Sequence, residues 1–372
     1  MKMRFWLYST FISLLFLYSC NGGKEIHIHE LSVTNQELSV LWGGDSIYIG
    51  VKSDLEWSVN TLDDWLEIKD VSNSSFIIEV SPNERTQSRS SSVEVRNDYS
   101  SVIISVIQDY NSEVVTITDV AFKNYCITHL DKNKDGVIDA SEAMAALNLV
   151  ISRLNIKSLN GLDYFTNLTT LSCEGNDLDS IPLTKLTKLK VLLCSNNHIG
   201  LLNLITCTEL EVLYCDNNFL PSLSLPNKLM LKEVYCKGNA ISTIDLTNDT
   251  ALTTVLAGNN NISYFDASTN SALSFLSLSN NRLTYLNVQS NTELSRLFIE
   301  DNQLSSLDLS GNQKLLKLRC ENNNLNRLDL SNNPSLEEVT CDGNPLSEIV
   351  LKKGQIIPKF TYPSTATIVY VD

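Results

Sequence analysis

Residues 294–314 read LSRLFIEDNQLSSLDLSGNQK, and this pattern occurs nine times from Leu168 onward with a period of 21 residues. Leucine occupies position 1 of every copy and asparagine occupies position 9, as in Leu294 and Asn302. Further apolar residues recur at positions 4, 6, 11, 14 and 16. Because 21 residues cannot bury their own apolar face, the copies must stack as coils around one continuous core.

The L-x-x-L-x-L-x-x-N-x-L spacing resembles that of leucine-rich repeats, which implies a solenoid with a parallel β-sheet on its concave face. Residues 3 to 5 of each coil alternate between inward and outward positions, so we expect short strands about 4.8 Å apart along the stack. The asparagine is expected to point inward, because a short amide offers the donors and acceptors that buried loop backbone groups require.

The chain begins with features of an export signal. Lys2 and Arg4 precede an apolar run that ends at Leu17-Tyr18-Ser19-Cys20, and this run is too short for a committed membrane span. The ending resembles the lipobox of bacterial lipoproteins, which implies that Cys20 is lipidated and becomes the first residue of the mature chain. A plain secretory signal with an incidental cysteine is the alternative. We expect an outer-membrane lipoprotein on the cell surface, with the periplasmic face as the other orientation.

Residues 37–110 contain short alternating runs that predict a small β-sandwich. Tryptophans and a closing glutamine stand at characteristic places in this region, which resembles the BACON domain, an immunoglobulin-like module of Bacteroidetes surface proteins. The resemblance implies either carbohydrate binding or a spacer role. Trp57 and Trp65 match core positions of that family, whereas Trp42 is expected to be exposed. The residues that carry the resemblance are Gly43-Gly44, Trp57-Ser58-Val59, Asp64-Trp65-Leu66, Arg89 and Gln108.

Residues 131–142, DKNKDGVIDASE, fit the twelve-residue calcium loop of an EF-hand. Helical spacing flanks the loop at Val120–Leu130 and Ser141–Asn148, as the motif requires. The carboxylate, amide and carbonyl oxygens of this loop are ligands that favour Ca²⁺. We expect a structural ion that closes the open end of the solenoid. The alternative is a metal-free capping box between Asp139 and Glu142. The predicted ligands are Asp131, Asn133, Asp135, the Val137 carbonyl, Asp139 and Glu142.

Nine cysteines in an exported chain raise the question of disulfides. Neighbouring coils place equivalent residues about 4.8 Å apart, whereas disulfide Cβ atoms lie about 3.5–4.5 Å apart. A straight row also cannot surround a tetrahedral zinc ion, so we predict buried free thiols. The row resembles the cysteine-bearing repeats of an internalin subfamily and of many Bacteroidetes repeat proteins. Position 6 holds Cys173, Cys194, Cys215, Cys236, Cys320 and Cys341.

Outward residues at positions 3 and 5 decide what the concave face can bind. Apolar and aromatic side chains cluster there beside two arginines, and acidic residues recur at position 7. An apolar centre with a charged rim is typical of protein interfaces. The alternative is that these side chains merely suit strands. The predicted partner-binding residues are Val191, Leu193, Val212, Tyr214, Tyr235, Leu256, Phe275, Arg296, Phe298 and Arg319.

Composition narrows the function. A net charge of −15 argues against a nucleic-acid partner, because such a partner needs a basic surface. The four histidines have no evident nucleophile and orienting carboxylate, so we do not expect an enzyme.

We predict a monomeric binding protein or adhesin for a protein or glycoprotein, attached to the membrane only through its lipid. The alternatives are a glycan-binding accessory of polysaccharide uptake that acts through the BACON-like domain, an enzyme, and a scaffold for other envelope proteins.

The predicted fold class is therefore multidomain, with an all-β immunoglobulin-like sandwich followed by a leucine-rich-repeat solenoid that has a helical cap. The opening coil of the solenoid precedes the nine coils of 21 residues. The predicted segments are a lipoprotein signal peptide (1–19), a tether (20–36), the sandwich (37–110), the calcium-binding cap (111–145), the repeats (146–356) and a C-terminal cap (357–372).

Overall fold

The structure, a computed structural model, describes residues 29–85 and 87–372. The predicted signal peptide, the lipidation site at Cys20 and the first part of the tether lie outside these residues. In the described part of the chain, no helix combines the length and the apolar character that a membrane crossing requires. The chain divides into two compact units. The first contains the described residues up to Val114 and Asp139–Ala145, and the second contains Val115–Ile138 and Ala146–Asp372.

The first unit is rich in β-structure. Two four-stranded sheets share an apolar core that includes Ile49, Phe76 and Ile104. Neighbouring strands are antiparallel except for one parallel pair, Glu37–Val40 with Ser101–Gln108. One sheet has the order β1 (Leu31–Val33), β3 (Asp45–Ser53), β6 (Ser75–Val80), β5 (Leu66–Lys69), and the other has the order β2 (Glu37–Val40), β8 (Ser101–Gln108), β7 (Arg89–Arg96), β4 (Ser58–Thr61).

The sequence predicted five of these eight strands, β3 and β5 to β8, and it did not predict β1, β2 or β4. Leu31–Val33 fall in the predicted tether, but they form β1 and pair with β3. Leu31 and Val33 pack against the core, and this burial favours an edge strand over a flexible tether. The immunoglobulin-like relationship itself stays a prediction.

The second unit is built on an eleven-stranded sheet whose strands are all parallel. In all nine repeats the strand covers positions 3 to 5, so this prediction is confirmed. We call the outward surface of this sheet, formed by positions 3 and 5, the long-sheet face; it is the surface predicted to be concave. The strands are β9 (Asn148–Val150), β10 (Thr170–Ser172), β11 (Val191–Leu193), β12 (Val212–Tyr214), β14 (Glu233–Tyr235), β16 (Thr254–Leu256), β18 (Phe275–Ser277), β20 (Arg296–Phe298), β21 (Lys317–Arg319), β23 (Glu338–Thr340) and β25 (Lys359–Thr361).

A second set of short strands occupies positions 13 to 15 of several coils. These strands pair in parallel with the equivalent strands of neighbouring coils, and we call their outward surface the short-strand face. The last of them, β26, is the closing strand predicted at Ile368–Val371. The strands are β13 (Ser222–Ser224) with β15 (Thr243–Asp245), β17 (Tyr264–Asp266) with β19 (Tyr285–Asn287), and β22 (Arg327–Asp329) with β24 (Glu348–Lys352) and β26 (Thr367–Val371).

Two helices precede the repeats. Helix α1 (Val120–Leu130) has the predicted bounds and begins after Asp119, whose carboxylate accepts hydrogen bonds from the backbone N–H groups of Ala121 and Phe122. Helix α2 (Ala140–Ala145) is shorter than predicted. The sequence pattern extended it to Asn148, but Asn148 begins β9, which pairs with β10. Backbone pairing in the long sheet therefore overrides the helical spacing.

Position 9 carries the interaction that joins one coil to the next. The Asn302 Nδ2 donates to the carbonyls of Ile299 in its own coil (3.1 Å) and Leu278 in the preceding coil (2.9 Å). Its Oδ1 accepts the N–H of Leu283 at 2.9 Å. The same three contacts recur along the stack, as in Asn197 and Asn260. The inward amide predicted from the sequence is confirmed.

A second row of asparagines, at position 19, was not predicted. Asn270, Asn291, Asn312 and Asn333 are buried, and each Nδ2 donates to backbone carbonyls of the preceding coil or of the turn beneath it. Earlier coils break the row, because Lys228 and Asp249 occupy this position. The Lys228 ammonium donates to three carbonyls of the preceding coil and so takes over the amide's role.

Asp249 places a carboxylate at position 19, where the later coils from Asn270 to Asn333 have an amide. Its Oδ1 accepts the N–H of Lys228 at 2.7 Å, but its Oδ2 is buried without a hydrogen-bond partner. The pKa of Asp249 is raised to about 7, chiefly by burial and also by the charge of Asp245, while the Lys228 N–H and the charge of Lys228 lower it. The folded state therefore binds more protons than the unfolded state between about pH 4 and pH 7. Stability should fall as the pH rises through that window.

We expect Asn302→Leu to lower the free energy of unfolding by about 1–3 kcal/mol, since it leaves buried carbonyls and an N–H without partners. Urea denaturation of the full chain measures this loss. Gln303→Leu, at the exposed neighbouring position, is the matched control. Equal unfolding free energies for the two variants would contradict the role assigned to the position-9 asparagines.

We expect Asp249→Asn to stabilise the chain by about 1–3 kcal/mol at pH 8, because it removes a buried charge. At pH 5 the gain should be smaller, because Asp249 is then largely protonated and resembles an amide. Urea denaturation at both pH values, beside the exposed control Asp177→Asn, tests this. A gain that is the same at pH 5 and pH 8 would refute the account.

Candidate recognition surface

The long-sheet face presents two columns of side chains in strict register. Each position-3 and position-5 residue lies opposite its equivalent in the next coil, as Tyr214 lies opposite Tyr235 and Phe275 opposite Arg296. All ten predicted partner-binding residues belong to these columns. Nine of them are half-buried by their neighbours and Arg296 is exposed. The structure thus brings the predicted residues together as one surface.

The middle of this face is aromatic and apolar. The rings of Tyr214 and Tyr235 lie 4.1 Å apart, and the Tyr214 hydroxyl donates to the Glu233 carboxylate at 3.2 Å. Desolvation, with contributions from Tyr235 and Glu233, raises the pKa of Tyr214, so its hydroxyl stays protonated as a donor. Leu193 and Leu256 flank this pair in the same column. The result is an aromatic and apolar surface on which Glu233 orients the Tyr214 hydroxyl.

Farther along the face, aromatic rings carry guanidinium groups. The Arg296 Cζ lies 4.1 Å from the ring centroid of Phe275, and the Arg319 Cζ lies 4.8 Å from that of Phe298. The two rings meet edge to face at 5.2 Å. Such cation–π contacts hold the guanidinium groups over the sheet and leave guanidinium N–H donors for an acceptor on a binding partner.

One carboxylate terminates this cationic segment. Glu338 accepts from Arg319 at 3.3 Å, and the Nζ atoms of Lys317 and Lys359 lie 3.4 Å and 3.9 Å from it. Its hydrogen bond from Arg319 is the largest cause of a lowered Glu338 pKa. Three cationic side chains therefore surround the Glu338 carboxylate.

The predicted cysteine row lies directly beneath the long-sheet face. All eight cysteines that the structure describes are buried free thiols, including the six at position 6. Burial raises the pKa of the ladder thiols, to about 12 for Cys341, so they carry no thiolate at neutral pH. They act as small apolar side chains in the core.

The predicted calcium loop is described in two halves, because the division into units falls after Ile138. In the first half, the Asp131 carboxylate accepts the N–H groups of Lys134 (2.6 Å) and Gly136 (2.9 Å). Asn133 and Asp135 each accept an N–H two residues ahead. Positive φ angles of 62° at Lys134 and 81° at Gly136 turn the backbone around these oxygens.

The second half forms the capping box that the sequence offered as an alternative. The Asp139 N–H donates to Glu142 Oε2 at 3.2 Å, and the Glu142 N–H donates to Asp139 Oδ1 at 2.8 Å. Both side chains are buried. Among the described residues, no three His, Cys, Asp or Glu side chains are grouped closely enough to hold a metal ion.

In the first unit, the residues that carry the BACON resemblance serve the fold. Trp65 is buried beneath Arg89, whose Cζ lies 4.3 Å from its ring. Arg89 donates to the Ser81 and Pro82 carbonyls and to Gln108. Trp42, by contrast, is 38% exposed, as expected.

Comparison with known proteins supports the assignment of the repeats. No protein-family model and no curated protein matches the chain. Among solved structures, the functional domain of InlJ from Listeria monocytogenes, which includes a cysteine ladder, is 26% identical with a TM-score of 0.52. The match covers 63% of this chain and 57% of that chain, so this chain spans little more than half of the InlJ structure.

Two other solved structures are similar at lower scores. An internalin, InlF from Listeria monocytogenes, is 20% identical over 68% of this chain and 91% of that chain, with a TM-score of 0.40. The LRIM1/APL1C complex is 25% identical over 55% of this chain and 42% of that chain, with a TM-score of 0.46. The period and the parallel sheet show that the second unit is a leucine-rich repeat solenoid, and the cysteine row and the likeness to InlJ support its similarity to internalins.

Proposed function

We propose that this chain is a non-enzymatic binding protein of the cell envelope that recognises a protein or glycoprotein through the long-sheet face. The observation that carries the proposal is the surface from Leu193 to Arg319, in which aromatic pairs in tilted or edge-to-face contact lie on the same sheet as ring-supported guanidinium groups. Tyrosine and arginine are the side chains that most often supply binding energy at protein interfaces.

The arrangement also specifies the partner's chemistry. The segment around Tyr214 and Tyr235 suits an apolar or aromatic side chain, because half-buried rigid rings lose little entropy on binding. The segment around Arg296 and Arg319 suits carboxylates, which guanidinium groups bind in a bidentate manner. A partner segment with an apolar half and an acidic half would match this face.

Membrane attachment belongs to the same proposal and rests on the sequence. The Leu17-Tyr18-Ser19-Cys20 ending supports lipidation at Cys20 and an outer-membrane lipoprotein whose recognition domain faces the cell surface. The alternative, glycan binding in polysaccharide uptake by the BACON-like domain, has less support, since Trp65 lies in the core rather than on the surface.

We expect the triple variant Tyr214→Ala, Tyr235→Ala, Phe298→Ala to bind its glycoprotein partner about 100-fold or more weakly, because it removes the aromatic anchors. Binding of the full chain to a panel of host glycoproteins immobilised for surface plasmon resonance measures the effect. Calcium is held constant, and thermal melting confirms that the variant folds.

The matched control is Leu201→Ala, Leu229→Ala, Met230→Ala, which removes three exposed apolar side chains outside the long-sheet face. It should bind like the wild type. Unchanged binding by the aromatic variant, or loss in the control alone, would contradict recognition by this face.

We further propose that the Asp131–Glu142 segment binds a structural calcium ion. Asp131, Asn133, Asp135 and the Val137 carbonyl offer oxygen donors on a tightly turned backbone, and this chemistry suits Ca²⁺. The sequence pattern assigns Asp139 and Glu142 as the remaining ligands.

We expect Ca²⁺ at about a hundredfold above its Kd to stabilise the full chain by about 2.7 kcal/mol relative to EDTA. Glu142→Gln should abolish this gain, because a glutamine preserves the capping-box acceptor but cannot bind the ion with two carboxylate oxygens. Denaturation in Ca²⁺ and in EDTA provides the measurement. Equal wild-type stability in both buffers would leave the capping box as the segment's only role.

A further inference from the structure

The short-strand face is interrupted at the coil that follows β19. Strands β17 and β19 pair with each other, and β22 begins the next group, but residues 306–308 of the coil between them form no strand. Position 13 of these successive coils changes from Tyr264 and Tyr285 to Ser306. A large side chain is therefore replaced by a small one where the pairing of strands stops.

A cleft lies at this interruption. It has a volume of about 190 Å³ and is lined by Tyr285, Leu286, Asn287, Gln289, Ser306 and Asp308. We call it the Tyr285 cleft. It is smaller than the roughly 300–1,000 Å³ of a pocket for a drug-sized ligand, so it would admit one unit of a longer molecule.

An aromatic platform forms one wall of the cleft. The rings of Tyr264 and Tyr285 are stacked, with centroids 4.9 Å apart and planes inclined by only 6°. They remain 57% and 46% exposed. Tyr264 covers one face of the Tyr285 ring. The cleft lies on the other side of the ring, toward Ser306 of the following coil. The second face of the Tyr285 ring is thus available to a flat ligand.

Fixed polar groups form the other walls. The Gln289 Nε2 donates to Asp308 Oδ2 across the coils, and the Asp308 Oδ1 accepts the N–H of Ser310 at 2.9 Å. These hydrogen bonds lower the pKa of Asp308, with the Ser310 backbone the largest cause. The Asn287 amide is held in turn by Asp266 at 3.1 Å. Carboxylate and amide groups already oriented in this way lose little entropy when a ligand binds.

A glycine maintains the close approach of the two coils. A Cβ atom at Gly311 would lie 2.0 Å from the Gln289 carbonyl oxygen, so no other residue fits without displacing the backbone. Gln289 and Asp308 are brought within hydrogen-bonding reach where the coils approach this closely. The cleft is therefore a defined feature of these two coils.

We propose that the Tyr285 cleft binds a neutral hexose unit of a polysaccharide. The C–H face of a pyranose ring is apolar and flat enough to stack on Tyr285, while its hydroxyl groups can donate to Asp308 and exchange hydrogen bonds with Asn287 and Gln289. A uronic acid or sulfated sugar is disfavoured, because Asp266, Asp308 and the net charge of −15 repel anions. This site is separate from the long-sheet face and does not depend on the function proposed there.

The test is affinity electrophoresis of the full chain in gels that contain starch, mannan or hydroxyethyl cellulose, which are hexose polymers, in a detergent without a sugar headgroup. We expect retardation by at least one of these neutral polysaccharides. Tyr285→Ala should weaken that binding about tenfold or more, whereas Tyr285→Phe, which keeps the stacking ring, should bind like the wild type. Asp308→Asn should weaken it as well, through loss of the anionic acceptor.

Tyr235→Ala on the long-sheet face is the matched control and should be retarded like the wild type, which separates this site from the protein-recognition surface. The proposal is overturned if no polysaccharide in the panel retards the chain, or if Tyr285→Ala is retarded equally. If calorimetry shows that the chain binds tetramethylammonium and no polysaccharide retards it, the cleft is assigned to a cationic ligand instead. That result would also overturn the proposal.

Discussion

The repeat depends on one buried carboxamide per coil. Each position-9 asparagine joins two carbonyls and one N–H that would otherwise be left without partners inside the stack, and it connects its own coil to the preceding one. At Asn197 and at Asn302 the hydrogen bond to the preceding coil spans 24 residues. At Asn176 it spans 25 residues, because the opening coil is one residue longer. The amides therefore hold the 21-residue coils in register, and this register aligns the parallel strand pairs and the residues at position 6.

Strict register gives the solenoid its surfaces. Outward positions 3 and 5 become columns in which neighbouring side chains touch, so Tyr214 meets Tyr235 and Arg296 meets Phe275. Positions 13 and 15 generate a second set of columns on the short-strand face, where the Tyr264–Tyr285 stack stops at Ser306. One repeated scaffold can therefore carry a protein-recognition surface and a smaller cleft at the same time, each determined by substitutions at a few outward positions.

The sequence predicted what the period determines and missed what depends on departures from it. The strands at positions 3 to 5 and the inward asparagines followed from recurrence alone. The second asparagine row recurs with the same period, but Lys228 and Asp249 interrupt it, and their roles depend on which carbonyls lie within reach. The Tyr285 cleft lies where the coil after β19 forms no short strand, and the sequence around Ser306 contains no pattern that predicts this. Strand β1 and the early end of α2 were misassigned because distant pairing decided them.

Hydroxyl-radical footprinting of the full chain, alone and with a bound glycoprotein partner, tests the central claim most directly. It reports the exposure of side chains inside and outside the long-sheet face in one experiment. The account predicts that Tyr214, Tyr235, Phe275 and Phe298 lose reactivity in the complex. Leu201, Leu229 and Met230, which are exposed elsewhere on the same unit, should keep theirs. Protection of the second group without the first would show that recognition lies outside the long-sheet face.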